Sequence, residues 1–331
     1  MFKMIGCYVT GILPRTKELV ELTRAYERGK AGERELEKAF EDATLKAINA
    51  QSSVGLTYIT DGMLKWQDLL RPFTENLVGV KVGSLSRWFN NNTFYRKPVI
   101  VDEIKREKSI IQNSSYIKLL PRNISWKAIL PAPYTFAQLS ENQFYKSSEE
   151  LMFKYAKILN EEIKSLAKLG FKYVQLSEPT IVYKPFNQCV SKDEINAVSE
   201  ALKAAVDGVQ IKTCLQTFFG DFCKILPEAL DFPIDHLGID LYETDLNKLK
   251  DYHFDKGIAL GLVDARNSLV EEVENLIESV KEIVESLHGS RQKDIFVCPN
   301  CDLEFLPWER AQEKMHAVGS VAKRLREELN E

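Results

Sequence analysis

The residues with the clearest capacity for chemistry lie in a cysteine-containing turn near the carboxyl end of the sequence. Cys298 and Cys301 form a Cys-x-x-Cys pair within residues 296–303 (FVCPNCDL), directly after a short apolar run that is typical of a β-strand. Cysteine thiolates bind zinc, but a structural zinc site needs four ligands. The function of this turn therefore depends on which residues the fold places next to Cys301.

The other cysteines and the histidines do not complete a metal motif in the sequence. Six cysteines are spread over 331 residues, and they do not form a second Cys-x-x-Cys pair. The four histidines form no HxH, HxC or HExxH pattern. A chain of this length with so few cysteines also does not describe a disulfide scaffold.

A second group of candidates consists of polar residues that directly follow predicted strands. In a parallel barrel such residues point into the active-site mouth. Each also has a simpler interpretation: Asp61, Asp264 and Asn267 are suited to cap the helices that follow them, and Cys298 fits an inert buried thiol. Taken together they favour a site at one end of the sheet, and the full set is Arg15, Asp61, Lys65, Glu178, Thr217, Asp240, Tyr242, Asp264, Arg266, Asn267, Cys298 and Cys301.

The elements that must position these residues alternate between strands and helices. About eight strands are predicted, the count of an α/β protein with a (β/α)8 TIM-type barrel. A doubly wound open sheet is the main alternative, but no GxGxxG or P-loop motif follows any strand. We predict a single barrel domain over residues 1–331, with strands at residues 4–9, 54–60, 126–130, 172–176, 209–217, 236–241, 257–263 and 294–297.

Apolar residues at the helical period predict the intervening helices, and one long segment interrupts this alternation. Residues 78–122 form a long excursion after the second strand, and such segments tend to be functional or to cover a site. Farther along the chain, Gly170 is placed to end the predicted helix at residues 148–169. Helices are predicted at residues 14–28, 33–50, 64–70, 148–169, 193–205, from 220 onward, 270–287 and 307–329.

Composition argues against two classes of partner. The net charge is −4, so no strongly basic face is implied and nucleic acid is a poor fit. No run approaches the roughly 18 apolar residues that a membrane span needs. The first residues also lack the pattern of a secretory signal. We therefore expect a soluble, cytoplasmic protein.

Five segments together resemble the cobalamin-independent methionine synthases. Residues 14–18 (PRTKE) look like the opening of one of that enzyme's two barrels. Residues 87–95 (RWFNNNTFY) resemble the family's "KWFDTNYHY", and residues 215–221 (LQTFFGD) resemble "LQTYFGD". Residues 260–267 (LGLVDARN) are similar to "LGVVDGRN", and residues 298–303 (CPNCDL) to "SPSCSL". The last four segments are marks of the amino-terminal barrel of the two-barrel enzyme.

The resemblance implies a specific reaction. The family's catalytic barrel binds zinc through an HxC pair, a glutamate and a late cysteine. The zinc holds the homocysteine sulfur as a thiolate, which then accepts a methyl group from methyltetrahydrofolate. A metal is useful here because a free thiol is mostly protonated at neutral pH.

This sequence departs from the family at most of the zinc positions. Cys301 matches the late cysteine, and the zinc glutamate falls near Asp240. The HxC pair falls either at residues 212–214 (KTC) or, in the better register, at residues 217–219 (TFF). One thiolate and one carboxylate do not make a four-ligand zinc site. The remaining metal hypothesis is that Cys214, Cys298, Cys301 and Asp240 converge in the fold.

The family's homocysteine positions are altered as well. Its "GS" pair becomes Gly11-Ile12, the glutamate of its "HGE" becomes Met63, and the aspartate of its "DEP" becomes Ser177. The candidates for substrate binding in this chain are Arg15, Lys17, Asp61, Lys65, Glu178, Asp240, Asp264, Arg266 and Asn267.

The resemblance leads to one main hypothesis and two alternatives. The main hypothesis is a free-standing version of the amino-terminal barrel that serves methionine synthesis beside a separate zinc-bearing barrel. It would contribute a docking surface and part of the folate site, with Arg15, Lys17 and Lys65 near a polyglutamate tail. The alternatives are a stand-alone alkyl or methyl transferase that acts on another thiol or a corrinoid donor, and a non-catalytic scaffold.

Overall fold

The chain folds around a parallel sheet of eight strands. The computed structural model describes residues 4–183, 190–287 and 293–329. In chain order the strands are β1 (Met4–Cys7), β2 (Tyr58–Ile59), β3 (Leu77–Arg87), β4 (Phe94–Arg106), β5 (Ser125–Pro131), β6 (Glu141–Asn142), β7 (Tyr173–Ser177), β8 (Lys212–Gln216), β9 (His236–Asp240), β10 (Gly257–Val263) and β11 (Asp294–Pro299). In the order in which they lie side by side, the eight strands of the barrel are β1, β11, β10, β9, β8, β7, β5 and β2.

Hydrogen bonds between the first and second barrel strands bring the two ends of this sheet together. The Thr57 amide donates to the Cys7 carbonyl oxygen at 2.9 Å, and the Cys7 amide donates to Thr57 Oγ1 at 3.0 Å. The predicted (β/α)8 TIM-type barrel is therefore confirmed, and the open doubly wound sheet is excluded.

Helices surround the barrel, and several begin and end close to the predicted limits. The helix Ser148–Leu169 has the predicted limits, and Gly170 ends it with a φ of 108°. The helices are α1 (Lys17–Glu27), α2 (Glu33–Ser53), α3 (Arg71–Asn76), α4 (Ile110–Ser114), α5 (Pro133–Leu139), α6 (Ser148–Leu169), α7 (Lys192–Val206), α8 (Leu246–Leu249), α9 (Val273–Ser286) and α10 (Trp308–Leu329).

Two predicted helices were wrong. Residues 64–70 form turns, because the Asp68 carboxylate accepts the Leu70 amide at 2.9 Å and the Arg96 amide at 3.1 Å. The segment that begins at residue 220 contains only the short 3-10 helices Phe222–Ile225 and Glu228–Asp231. Pro227 lies between them, and a proline cannot supply the backbone N–H that a continuous helix needs.

The excursion after the second barrel strand is mainly a β-hairpin. Strands β3 and β4 pair antiparallel, and β6 extends this small sheet beside β4. The predicted long insertion after the second strand is confirmed. The tip of the hairpin, at residues 88–93, folds back toward the barrel, where it contacts the site described below.

Glycines inside the barrel leave room for large polar side chains. A Cβ atom on Gly238 would lie 2.2 Å from Gln216 Oε1, and one on Gly257 would lie 2.2 Å from the ring of His236. Only glycine fits at these two positions, because the barrel interior is packed as densely as other protein cores. None of the described helices has the length and apolar character to cross a membrane.

Candidate functional site

A buried carboxyl group lies at the mouth of the barrel, which we define as the residues that directly follow the carboxyl ends of the eight barrel strands. Glu178 follows β7 and is fully buried. Its oxygens accept the Thr135 amide at 3.2 Å and the Thr135 hydroxyl. Burial raises the pKa of Glu178 to about 8 and outweighs these hydrogen bonds. Near neutral pH the protonated acid predominates.

A second carboxylate, Asp240, ends β9 and is already bound by backbone and side-chain donors. Asp240 Oδ2 accepts the Phe219 amide at 3.1 Å. Its Oδ1 accepts the Tyr242 amide at 3.1 Å and Asn300 Nδ2 at 3.2 Å. Burial raises the pKa of Asp240 to about 6. Asp240 thus ties together the loops that follow β8, β9 and β11.

The Cys-x-x-Cys turn is bound to the loop that follows the first barrel strand. The Thr10 hydroxyl donates to the Cys301 carbonyl oxygen at 2.6 Å, and Asp302 Oδ1 accepts the Ile12 amide at 2.9 Å. Gly11 permits this contact, since a Cβ there would lie 1.7 Å from Asp302 Oδ1. Burial raises the pKa of the Cys301 thiol well above its usual range, with smaller effects from nearby carboxylates.

The four candidate zinc ligands do not converge. Cys214 Sγ lies inside the barrel, 3.8 Å from the Tyr8 hydroxyl, and Cys298 Sγ lies 3.5 Å from the Leu260 carbonyl oxygen. Asp240 is occupied by the three donors described above. In the part of the chain that the structure describes, no three His, Cys, Asp or Glu side chains are arranged to hold a metal ion.

The alternative positions for an HxC pair supply no better ligand. The Thr217 hydroxyl donates to the Gly238 carbonyl oxygen at 2.9 Å, and residue 219 is a phenylalanine. A tetrahedral zinc site needs sulfur, imidazole or carboxylate ligands around one point. Within the described ranges, the residues present therefore do not fit a resident zinc ion.

Aromatic rings of the hairpin cover the mouth. The ring of Phe89 lies 4.9 Å from that of Tyr183 and 5.5 Å from that of Phe219. Trp88 packs edge-on against Phe89 at 4.8 Å, and Phe219 contacts Phe305 at 6.1 Å. These rings connect the excursion to the loops after three barrel strands. Glu178, just after β7, and Asp240, at the end of β9, are fully buried.

Three residues at this end of the barrel have a backbone conformation that only glycine adopts easily. Met63, Phe89 and Phe219 have φ values of 55°, 50° and 66°. Such residues cost about 1–3 kcal/mol each and persist only where the surroundings impose them. The family position occupied by Met63 is thus not only altered in type but also fixed in an unusual backbone geometry.

Three predicted site residues after the seventh barrel strand lie at the rim of the mouth. Asp264 Oδ1 accepts the Arg266 amide at 3.0 Å, which forms a local turn. Arg266 Nη1 lies 2.7 Å from Glu243 Oε1, and its guanidinium lies 5.9 Å from the centre of the Phe219 ring. Asn267 accepts the Leu269 amide at 3.0 Å in an exposed turn, so it does not cap the helix that follows, which begins at Val273 after the N-cap Glu272.

Two candidates near the second strand hold loops together. Arg15 donates to the carbonyl oxygens of Leu64 and Trp66, each at 2.7 Å. Asp61 accepts the Met63 amide at 3.0 Å and the Tyr116 amide at 2.9 Å, so it caps a turn and not a helix. Both residues connect the barrel to neighbouring loops.

The two lysines predicted near a polyglutamate tail lie on the outer surface. Lys17 Nζ is 3.9 Å from Glu21 on the exposed face of α1. Lys65 Nζ is 3.1 Å from Glu37 and lies 5.1 Å from the centre of the Tyr116 ring. Each lysine therefore has an acidic neighbour, and a role in binding folate stays a prediction.

Three polar residues inside the barrel were not predicted from the sequence. Lys127 is fully buried, donates to the Val9 carbonyl oxygen at 2.8 Å and lies 3.3 Å from the centre of the Tyr8 ring. Burial lowers the pKa of Lys127 to about 7. The other two are Gln175 and Gln216, on neighbouring strands. In the sequence, the signal for Lys127 was a lysine within an apolar strand. The signal for Gln175 and Gln216 was the alternation of inward and outward side chains along a strand.

Comparisons with known proteins agree with this architecture. A family model described as "Cobalamin-independent synthase, Catalytic domain" matches residues 5–324. The methionine synthase of Saccharolobus solfataricus is 29% identical over 326 residues, which cover 97% of this chain and 95% of the relative. The methionine synthase of Sulfurisphaera tokodaii is 28% identical over 97% of this chain and 92% of its own length.

Two solved structures have the same fold over almost their whole length. A B12-independent methionine synthase from Shewanella sp. W3-18-1, in complex with selenomethionine, has a TM-score of 0.82 and 21% identity, with 99% of both chains covered. A putative vitamin-B12 independent methionine synthase from Listeria monocytogenes has a TM-score of 0.74 and 17% identity, covering 98% of this chain and 99% of its own.

Proposed function

This chain belongs to the cobalamin-independent methionine synthase family, and we propose that it serves methyl transfer from methyltetrahydrofolate to homocysteine together with a separate zinc-bearing barrel. One observation indicates that a partner is needed. Asp240, near which the family's zinc glutamate would fall, has its oxygens bound by Phe219, Tyr242 and Asn300. The thiolate that the reaction needs would then be generated on the partner.

In this proposal the chain contributes an enclosed, polar mouth. Glu178 and Asp240 in this mouth are fully buried, and the exclusion of water strengthens polar interactions there. Glu178 is available as a hydrogen-bond donor because its carboxyl group is protonated near neutral pH. These residues would bind and orient a small substrate.

The outer part of the hairpin supports a docking role. Val82, Leu85 and Phe94 are exposed apolar side chains on the two hairpin strands. Exposed apolar clusters on soluble proteins frequently mark contact surfaces. Lys81 and Arg96 lie beside them, so a partner with apolar and acidic groups would be complementary. The proposal also places both proteins in the cytoplasm.

A methyl-transfer assay tests the proposal. Homocysteine, methyltetrahydrofolate and zinc are supplied to this chain alone, to the zinc-bearing barrel from the same source, and to both. We expect turnover with both chains to exceed that of the partner alone. Activity of this chain alone would instead indicate a stand-alone transferase, and no effect on the partner would refute the proposal.

A docking variant sharpens the assay. Replacing Leu85 and Phe94 by aspartate changes only exposed side chains and should leave the fold intact. If the hairpin docks the partner, this variant loses the stimulation. A variant of the exposed Leu45, replaced by aspartate on α2, is the matched control and should retain it.

A further inference from the structure

The outer layer of helices around the barrel is incomplete after β8 and β9. In a (β/α)8 barrel each strand is normally followed by a helix that covers its outer face. Here β8 is followed by two 3-10 helices of four residues each, and β9 by α8, which also has four residues. By contrast α9, which follows β10, has 14 residues. A helix of ordinary length is therefore missing on the side of α9 that faces α8.

A trough lies along α9 at this place, between α9 on one side and residues 241–250 on the other. Its polar edge is formed by the N-cap and four residues of α9, which are Glu272, Asn275, Ser279, Glu282 and Ser286. Their spacing of three or four residues marks a single face of the helix. Since this face runs from the N-cap to the last residue of α9, the trough is about 21 Å long, at about 1.5 Å per residue. Its volume is about 560 Å³.

The floor of this trough is apolar. Leu276 and Ile283 come from α9, Leu262 from β10 and Leu249 from α8, and these four side chains are buried. Leu246, also on α8, is half-buried. A long apolar trough of this kind fits the apolar face of an amphipathic helix, because the side-chain ridge of one helix packs between the side chains of another. A compact ligand would cover only part of its length.

The two walls of the trough differ in charge. Glu272 and Glu282 lie ten residues apart on the polar edge and are exposed. Neither forms an ion pair with a residue that the structure describes, whereas Glu271, next to Glu272, is paired with the buried Lys314. Lys250 lies on the opposite wall. The α9 side of the trough is therefore complementary to a partner that carries lysine or arginine at a matching spacing.

We propose that the trough binds an amphipathic helix of a partner protein. The apolar side chains of this helix would lie on the floor, and its lysine or arginine side chains would lie beside Glu272 and Glu282. The bound helix would supply the cover that the short α8 does not give. In the closed order of strands β9 lies four places from β2, so the trough is on the opposite side of the barrel from the inserted hairpin. The inference therefore concerns a different surface and does not rest on the proposed function.

Fluorescence anisotropy with labelled peptides tests the inference on the full chain. Each peptide has about 18 residues, enough to span the trough as a helix. The basic peptide has an apolar face of leucines flanked by lysines at the spacing of Glu272 and Glu282, and further versions carry isoleucine, phenylalanine or methionine on this face. An acidic peptide has glutamate in place of lysine, and a scrambled peptide has no apolar face. We expect the best basic peptide to bind at least about tenfold more tightly than its acidic and scrambled counterparts.

The variant Ser279→Trp tests whether the peptide lies in the trough. The new ring fills the middle of the trough without changing its charge, so the affinity for the basic peptide should fall about tenfold or more. Ser199→Trp, at a partly exposed position of α7, is the matched control and should bind like the wild type. If thermal melting shows that Ser279→Trp does not fold, Asn275→Trp, at an exposed position of the same edge, replaces it.

A charge variant tests the role of the polar edge. Glu272→Gln combined with Glu282→Gln removes both carboxylates and keeps the shape of the side chains. The affinity for the basic peptide should fall about tenfold at low salt, and its dependence on salt concentration should decrease. The affinity for the acidic peptide should not fall. Glu278→Gln, which changes an exposed glutamate of α9 outside the trough, is the control and should bind like the wild type.

Hydrogen exchange and sedimentation velocity complete the test. Slower exchange in residues 241–250 and 273–286 when the basic peptide is added, lost in Ser279→Trp, would support the inference. Failure of every basic amphipathic peptide to bind would overturn it, and so would an unchanged affinity in a folded Ser279→Trp variant. A chain that sediments as a dimer, and as a monomer in Ser279→Trp, would also overturn it, because a second copy would then cover the trough.

Discussion

The ring of Phe89, at the tip of the inserted hairpin, lies 5.5 Å from the ring of Phe219, which follows the fifth barrel strand, and both residues have a positive φ. More than a hundred residues separate them in the sequence. The strain of two left-handed conformations is offset by the burial of their rings. This contact is what turns a long insertion into a cover for the barrel mouth.

Replacing Phe89 with alanine should loosen this cover. The change removes the ring contacts with Tyr183 and Phe219, and a cost of about 1–3 kcal/mol is expected for a partly buried aromatic residue. Amide hydrogen exchange should become faster across residues 215–221. Phe94→Ala, on the exposed part of the same hairpin, is the control and should change stability by less than about 0.5 kcal/mol. Unchanged exchange in Phe89→Ala would contradict a covering role.

Gly11 and Asp302 should be energetically coupled. Gly11→Ala places a Cβ 1.7 Å from Asp302 Oδ1, and such overpacking typically costs about 1–3 kcal/mol. Asp302→Ala leaves the buried Ile12 amide without its acceptor, at a cost of about 1–3 kcal/mol. In the double variant the clash is absent, so the total should be smaller than the sum. Urea denaturation of the four proteins measures this, and strict additivity would contradict the contact.

Glu178→Gln should remove a pH dependence of stability. Burial raises the pKa of Glu178 from 4.5 to about 8. Between these values the unfolded chain releases the proton and the folded chain keeps it, so this residue lowers stability as pH rises, by up to about 1.4 kcal/mol per pH unit. The advantage of the glutamine variant over the wild type should therefore grow from pH 5 to pH 8. Urea denaturation at several pH values tests this, and a constant difference would refute it.

Lys127→Met should show the opposite trend. Burial lowers the pKa of Lys127 from 10.5 to about 7. At pH 7 and below, the folded protein carries a buried ammonium, and this penalty is relieved as pH rises from 7 toward 10.5, by up to about 1.4 kcal/mol per unit. The stability of the methionine variant relative to wild type should thus decrease from pH 7 to pH 9.

Loss of the hydrogen bond to Val9 adds a cost to Lys127→Met that does not depend on pH. Comparing the stability difference between Lys127→Met and the wild type at several pH values therefore isolates the contribution of the buried ammonium group. Lys146→Met changes an exposed lysine and serves as the control, for which the difference from wild type should stay flat. A flat difference for Lys127→Met as well would mean that its ammonium is not destabilised by burial.

Zinc binding by this chain alone should be well below one ion per chain. The candidate ligands Cys214, Cys298 and Asp240 are directed to separate partners and not to a common point. Metal-free protein is reloaded with zinc, dialysed and analysed by mass spectrometry, alone and after addition of the partner barrel. One zinc per chain in the isolated protein, lost in Cys301→Ser, would restore a metal site that the geometry does not support.

The sequence by itself determined the fold class, because periodicity is a local property. Apolar runs gave the strands, and the helical period gave α6 and α9 within a few residues. It also determined that Glu178, Asp240 and Cys301 lie at or just after the carboxyl ends of strands, which in any parallel barrel places them at the same end. The family followed from short motifs that survive in linear order. The helix predictions failed at residues 64–70 and from residue 220 onward. There the hydrogen bonds of Asp68 and the missing N–H of Pro227 favour turns and short 3-10 helices.

Only the tertiary structure decided what these residues contact. It placed three donors on Asp240, brought the hairpin against Phe219 and left oxygens of Gln175 and Gln216 without a partner among the residues that the structure describes. Each of these depends on how strands distant in sequence are registered around the closed barrel. Hydrogen bonds and ring contacts act over a few ångströms, so residue type alone does not reveal which polar groups are satisfied. Which polar groups have hydrogen-bond partners is decided only when the barrel closes.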